Sequence, residues 1–252
     1  MQPVLFTIGK INVFSWGLML AIAVIVAIIG IGRLFDREGY ERDMVLDLVM
    51  LCVIFGIIGA RIAYVFTYDW AVFLSDPLML FRLQDGGFRG MAWYGGLVGG
   101  LIPFIVYLRY KKLSFWKVAD MFAPYLALGY ALVRIGCFLN GCCYGNITES
   151  ACGVVFPAVD AYHRHPTQLY GSALNILLFI VLIRFYPRRK FPGQVFLLYV
   201  IGYSVYRFIV EFFRSNEIFI GWLSIGQVYT LVLLGLAIVA YEWVKSRHRE
   251  GA

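Results

Sequence analysis

Three residues near position 210 have the types and the spacing to hold an anion. Arg207, Glu211 and Arg214 fall at i, i+4 and i+7, which is one face of a helix, with Phe208, Phe212 and Phe213 around them. One carboxylate can fix one guanidinium, so positive charge remains in surplus. Arg61 and Arg134 also stand inside long apolar runs, which makes four arginines against one glutamate. A charge in hydrocarbon costs roughly 3 kcal/mol or more, so such groups face a bundle interior and mark function. Snorkelling from a span end explains Arg61 or Arg214 taken singly, but not Arg207 beside its own carboxylate. A guanidinium matches phosphate oxygens two at a time, and the anion native to this setting is a phospholipid head group.

Other residues converge on the same chemistry. In Trp93-Tyr94-Gly95-Gly96-Leu97-Val98-Gly99-Gly100, small residues recur at i and i+4, which allows close helix packing. Beside the Tyr94 phenol, Gly95 and Gly96 also leave room for a ligand. His165-Pro166-Thr167-Gln168 opens another apolar run, with Thr167 expected as the N-cap and Pro166 as a stop for anything upstream. Of five cysteines, Cys137, Cys142, Cys143 and Cys152 lie at or beyond the end of one run, while Cys52 is mid-run and packs. Three readings of the four stay open. A disulfide from Cys142 or Cys143 to Cys152 is favoured, free packing thiols come second, and a metal site with His163 and His165 comes last. The spacing Cys-x4-Cys-Cys-x8-Cys matches no standard zinc pattern, so neither metal nor cofactor is assigned.

The elements that must position these groups follow from composition. Of 252 residues 61% are apolar and only 15% charged, against about 45–50% and 25% in soluble domains. Disordered, collagen-like and disulfide-scaffold classes fail on the 17% aromatic content and the five cysteines. Seven runs at roughly 13–32, 44–66, 91–108, 117–138, 168–186, 193–213 and 222–244 are near the length a bilayer demands. The expected fold is an all-α integral membrane protein of seven spans, a single polytopic domain over 1–252, with outer loops at about 67–90 and 139–166. Pro77 interrupts an interfacial segment over Trp70 to Leu83. The first span lacks a cleavage pattern and reads as retained. No period of 20 to 50 residues recurs, which disfavours a duplicated transporter.

Charge orients the map. Of the 22 basic residues, 14 fall on the side of the 1–2, 3–4 and 5–6 connections and the tail. The other side holds Lys10, Arg82, Arg89, Arg164 and Arg214, and Arg61, Arg134 and Arg207 lie within spans. The N-terminus is therefore expected outside and the C-terminus in the cytoplasm. The net charge of +7 becomes a topology signal, and nucleic acid is not an expected partner. In this orientation five spans bring polar or glycine positions, Trp16 among them, to one outer depth.

These residues resemble the bacterial prolipoprotein diacylglyceryl transferases. The resemblance rests on Ser15-Trp16-Gly17-Leu18-Met19, Gly59-Ala60-Arg61-Ile62-Ala63-Tyr64-Val65 and Gly90-Met91-Ala92-Trp93-Tyr94-Gly95-Gly96-Leu97. It continues through Arg134-Ile135-Gly136-Cys137-Phe138-Leu139-Asn140-Gly141-Cys142-Cys143-Tyr144-Gly145, His165 to Tyr170, Arg207 to Arg214, and Ser224-Ile225-Gly226-Gln227. It implies a seven-span inner-membrane enzyme, with its site toward the outer leaflet, that moves the diacylglyceryl unit of phosphatidylglycerol onto the lipobox cysteine of a prolipoprotein. Glycerol phosphate leaves, and no metal or nucleotide is required. By the same resemblance Arg134 and Arg207 grip the head group, Glu211 orients Arg207, Asn140 makes a polar contact and Gly145 allows close backbone approach. Tyr94 completes the catalytic set; Arg61, Gly95, Gly96, Arg214, His165, Gln168 and Trp16 line the substrate.

The chain departs from the family's pattern where proton transfer is concerned. Tyr94 replaces the usual His before Gly-Gly-Leu, Cys137 an Asn, Cys142 a Glu, Gly171 another Glu, Val133 a Gly and Trp16 a Tyr. An unperturbed tyrosine, with a pKa near 10, is a poor base at neutral pH. Either the acceptor thiol arrives ionised or Cys142 stands in as acid or base. Two rivals follow: a paralogue that uses the same donor with another acceptor, and, further off, a lipid transporter.

Overall fold

The computed structural model describes residues 1–8, 11–81, 92–214 and 218–250; Lys10, Arg82, Leu83, Arg89, Gly90 and Met91 lie outside them. A hairpin of β1 (Val4–Ile8) and β2 (Ile11–Phe14) precedes α1 (Ser15–Arg37), α2 (Asp43–Tyr68), α3 (Trp70–Ser75), a 3-10 turn at Pro77–Phe81 and α4 (Trp93–Tyr110). Then come α5 (Phe115–Asn140), the short pair β3 (Val154–Val155) and β4 (His163–Arg164), α6 (Thr167–Phe185), α7 (Gln194–Glu211), the pair β5 (Ile218–Ile220) and β6 (Leu223–Ser224), and α8 (Ile225–Glu250).

Apolar runs become helices because lipid offers the backbone no hydrogen-bond partner, so each segment must satisfy its own. Among the described residues six helices, α1, α2, α5, α6, α7 and α8, are long and apolar enough to cross a membrane. The expected third span, α4, has 18 residues; four glycines, Arg109 and its tyrosines dilute its apolar character below the other six. Ile25, Ile54, Val181, Leu236 and Val239 are exposed along these helices, a surface suited to hydrocarbon and a liability in water. The three hairpins are additions to the all-helical expectation, too short to carry a period-2 signal. Pro77 does end α3 and restart the chain as a 3-10 turn.

Two compact units form, Met1–Ile31 with Trp116–Ala252, and Gly32–Phe115. In the second, α2 and α4 meet along small residues. A Cβ on Gly59, Gly95 or Gly99 would strike the facing helix's backbone, and Ala92 N–H donates to Ala60 O at 3.0 Å. Such contact is how helices associate where the solvent is as apolar as their side chains.

In the first unit, α5 sets α7. Asp120, fully buried on α5, accepts from Gly193 N–H and Phe196 N–H at 2.8 Å each, with Arg189 Nε 3.9 Å away. A carboxylate thus satisfies donors that the first turn of α7 leaves open. Gly193 takes a φ of +94° at the N-cap, where a side chain would also run into Trp116. Phe191, Leu197 and Val244 pack beside this anchor with Trp116, Phe196 and Tyr241. Gly136 on α5 lies against Trp16 and Met19 of α1, which puts half-buried Trp16 in a helix contact.

Candidate functional site

Arg207 and Glu211 share one face of α7, whereas Arg214, expected on the same helical face, lies in the turn just past the helix end at Glu211. Arg207 Nη1 forms an ion pair with Glu211 Oε2. The other carboxylate oxygen of Glu211, a residue only 5% exposed, accepts from Ser224 Oγ at 3.1 Å. Ser224 in turn starts α8 in a reciprocal cap: Gln227 N–H donates to Ser224 Oγ at 3.2 Å and Ser224 N–H to Gln227 Oε1 at 3.0 Å. This is the capping-box arrangement with Gln at the third helical position. Gly226 leaves the space that the Glu211 carboxylate fills. The carboxylate is therefore held from two sides, and its orientation passes to Arg207.

Arg134 is positioned one helical turn from Tyr130. Its Nε donates to the Tyr130 hydroxyl at 2.8 Å, Nη2 reaches the same oxygen, and the guanidinium carbon lies 4.8 Å from the ring centroid. Tyr130 is itself wedged against Tyr203 and Tyr206 of α7, with ring centroids 5.8 and 5.6 Å away. Arg134, Arg207 and Arg214 then line one narrow, closed-down cleft together with Thr167, Gly171, Tyr206 and Val210. Three guanidiniums, from α5, from α7 and from the turn after α7, converge with one buried carboxylate behind them.

Beyond Arg134 the end of α5 shapes the cysteine loop. Gly141, at φ +77°, closes the helix with a Schellman turn: Cys142 N–H donates to Cys137 O at 3.1 Å and Gly141 N–H to Phe138 O at 3.1 Å. That turn folds the residue after the glycine back over the last helical turn, where an apolar pair usually meets. Here the pair is Cys142 on Cys137. With Cys143, at φ +64°, three sulfurs come within 4.8 Å of one another. All five cysteines are free thiols, and Cys152 stands outside the cluster, so the favoured disulfide to Cys152 is not formed. The neighbouring thiols of Cys137 and Cys142, by hydrogen bonding, and then Arg134 and Arg214, by charge, hold the Cys143 thiol below the ordinary range. Asn140, half-buried at the helix end, hydrogen-bonds to Cys142.

The loop is tied to the start of α6. Thr167 Oγ1 donates to Cys143 O at 2.8 Å and Gln168 Nε2 to Cys142 O at 2.6 Å. Thr167 was expected as the N-cap; Pro166 holds that place and Thr167 is the first helical residue. Its hydroxyl is spent on the loop instead of on its own helix. Gln168 is fully buried, and its Oε1 has no hydrogen-bond partner among the described residues. Buried Gly145 donates to His165 O at 2.8 Å and packs against the Phe213 carbonyl, leaving no room for a Cβ. His165 Nδ1 lies 3.1 Å from the Tyr170 hydroxyl, with Phe213 against both rings. His163 faces Gly153 O at 3.2 Å, so neither histidine joins the sulfur cluster. Arg164 pairs with Asp160 at 2.5 Å, and the hydrogen bond from Arg164 holds the Asp160 carboxyl below its usual range.

The remaining candidates belong to the other unit. Buried Arg61 donates from Nε to Leu80 O at 3.3 Å. Thr67 Oγ1 gives its proton to Ala63 O at 2.7 Å, so in its 2.6 Å bond with the Tyr94 hydroxyl Tyr94 is the donor. Gly95 and Gly96, expected to line substrate, lie against α2, and their small size is used for helix packing. The structure thus brings Arg134, Arg207, Arg214 and Glu211 together, with the loop of Asn140 to Gly145 and the start of α6 beside them.

Known proteins are similar in sequence over nearly the whole chain. The profile of the prolipoprotein diacylglyceryl transferases matches residues 3–243. The chain belongs to that family. A relative from Methylococcus capsulatus is 34% identical over 97% of this chain and 96% of its own, and one from Vibrio cholerae 35% over 98% and 92%. Another, from Photobacterium profundum, is 32% identical over 96% and 93%. All three carry the name phosphatidylglycerol–prolipoprotein diacylglyceryl transferase.

The departures from the transferase pattern acquire locations. Gly171, where the pattern has Glu, lines the cleft, and a Cβ there would sit 3.6 Å from the Tyr206 ring and 3.8 Å from Arg134 Cγ. Cys137 and Cys142, where it has Asn and Glu, are the sulfurs of the Schellman turn. Tyr130, Tyr206 and Ser224 position the arginines and their carboxylate without having been singled out for that from sequence. The i+4 spacing of Tyr130 to Arg134 and the Ser-x-x-Gln box were the available signals.

Proposed function

We propose that this protein transfers the diacylglyceryl group of phosphatidylglycerol to the lipobox cysteine thiol of prolipoproteins, the first step of bacterial lipoprotein maturation. The observation that carries the reading is the cleft of Arg134, Arg207 and Arg214 on a chain similar to such transferases over nearly its full length. The acceptor thiolate attacks a glycerol carbon of the lipid, the C–O bond breaks, and its electron pair leaves on glycerol phosphate. Arginines fixed in advance, away from water, stabilise that developing charge, and one such donor is typically worth about 10²–10³ in rate. Arg207 is held by Glu211 and Arg134 by Tyr130, so neither must reorganise as the phosphate departs.

The protein lies in the bacterial inner membrane with α4 as its remaining span, giving seven. Its N-terminus is outside, its tail in the cytoplasm and the cleft toward the outer leaflet. The support is the distribution of basic residues, with 14 of 22 on the tail side. Purified protein in nanodiscs of phosphatidylglycerol, given a lipobox peptide, should yield a thioether-linked diacylglyceryl peptide and free glycerol phosphate by mass spectrometry. No adduct and no glycerol phosphate beside an active comparator overturns the reading. Glycerol phosphate without a peptide adduct moves the acceptor to another molecule.

A further inference from the structure

We propose that Cys137, Cys142 and Cys143 form a zinc site whose open fourth position takes the acceptor thiol as a thiolate. The inference rests on the transferase reading for the identity of that thiol, and on the sulfur geometry for the site itself. Three sulfurs within 4.8 Å of one another need only small side-chain rotations to meet a tetrahedral zinc, whose bonds of roughly 2.3 Å set sulfurs about 3.8 Å apart. The Schellman turn at Gly141 has already paired Cys142 with Cys137, and Cys143 holds a left-handed backbone conformation that side chains adopt mainly where the surroundings impose it.

The ligand set is that of a reactive centre more than a structural one. Structural zinc has four protein ligands, whereas catalytic zinc keeps three and leaves one place open. Among the described residues no fourth His, Cys, Asp or Glu joins this group. Burial is graded, with Cys137 buried, Cys142 half-buried and Cys143 exposed, so the open place faces outward from the end of α5. Around the ligands, Gln168 and Thr167 hold the carbonyls of Cys142 and Cys143, as outer partners orient the ligands of working metal sites. Thr167 also lines the arginine cleft, and Arg134 and Arg214, which line it too, interact electrostatically with Cys143. A thiolate on the metal therefore stands beside the place assigned to the phosphate.

Such a centre meets the need left by the missing histidine and glutamate. Zinc deprotonates a thiol that coordinates it, with no side-chain base required. The bound sulfur then forms the S–C bond while the C–O bond of the lipid breaks, and the proton released from the thiol ends on glycerol phosphate. Zinc with three cysteine thiolates and the acceptor is a dianion, which the neighbouring arginines offset. The thioether product is neutral, a weak ligand, and leaves.

The test uses full-length protein in nanodiscs. Zinc should be stoichiometric by elemental analysis, and Cys137→Ser, Cys142→Ser and Cys143→Ser should each reduce it at least about tenfold, while Cys52→Ser and Cys152→Ser retain it. Cobalt(II) exchanged into the site should show thiolate charge-transfer bands that change when a lipobox peptide is added, and not when its cysteine is replaced by serine. Arg207→Ala should keep that spectral response while losing transfer, which separates this site from the head-group site. A peptide-sensitive cobalt spectrum with no transfer by the unmodified protein would leave the zinc site standing and remove the transferase reading. Absence of zinc and cobalt binding, retention of either by the triple serine variant, or a cobalt spectrum indifferent to the peptide thiol overturns the proposal.

Discussion

Gly145→Ala is the sharpest probe of how the cleft is held. The added methyl would lie inside contact distance of the Phe213 carbonyl oxygen, 2.7 Å from Thr167 Cγ2 and 3.0 Å from His165 Cβ. Threonine and histidine side chains can give a little, but the Phe213 oxygen is backbone and accepts from Asn146 N–H at 2.9 Å. Overpacking of this kind costs about 1–3 kcal/mol, and loosening that hydrogen bond about 1 more. A chain of this size should then melt roughly 5–15 °C lower, by intrinsic tryptophan fluorescence in nanodiscs. Arg214 follows Phe213 and lines the cleft, so diacylglyceryl transfer should fall at least about tenfold, the size of a single weakened electrostatic contact. Gly235→Ala is the control: it meets nothing within 4 Å, and mid-helix alanine should be neutral or stabilise by up to about 1 kcal/mol. A Gly145→Ala protein melting within ~1 °C of the parent, with undiminished transfer, refutes the reasoning.

Arg207→Ala should abolish turnover while the protein still purifies folded, and Arg207→Lys should retain only a small fraction, since an ammonium cannot bind two phosphate oxygens in parallel; full activity in either removes the head-group role. Ser224→Ala takes away both the cap of α8 and the hydrogen bond to Glu211, and should lower stability by about 2–3 kcal/mol in a melt as well as slow transfer. Gly171→Leu fills the cleft between Arg134 and Tyr206, so it should raise KM for phosphatidylglycerol more than it lowers kcat; an unchanged KM argues against phosphate binding in this cleft.

The pairing of Arg207 with Glu211 was legible because a helix converts spacing into a face. Arg207 and Glu211 needed only the 3.6-residue period, whereas Arg214 reaches the cleft from the tight turn that ends α7, and the apolar runs announced the helices with ends a few residues off. Residues joined by a turn were harder. Linear spacing favoured bonding Cys142 or Cys143 to Cys152, yet Gly141 is a C-cap signal, and a Schellman turn there folds Cys142 onto Cys137 instead. Thr167 beside a proline has the look of a cap, but it is the first helical residue and its hydroxyl donates to the Cys143 carbonyl of the loop. Partners remote in sequence left least trace: nothing in the runs themselves ties Asp120 to Gly193 and Phe196, or Tyr130 to Tyr203. Gly95 and Gly96 carried two meanings, and only the facing backbone of α2 decides for packing.

Asp120 has a further consequence. Its carboxylate grips the first turn of α7 about 16 Å along the axis from Arg207, at 1.5 Å per residue, and so fixes the azimuth at which that helix enters the bundle. A helix free to rotate by one residue's worth, about 100°, would swing Arg207 out of the cleft with every local contact around it otherwise permitted. Substitutions at Asp120 should therefore resemble lesions of the anion site in a genetic screen, though they touch nothing in it. The address of Arg207 is written at the opposite end of its helix.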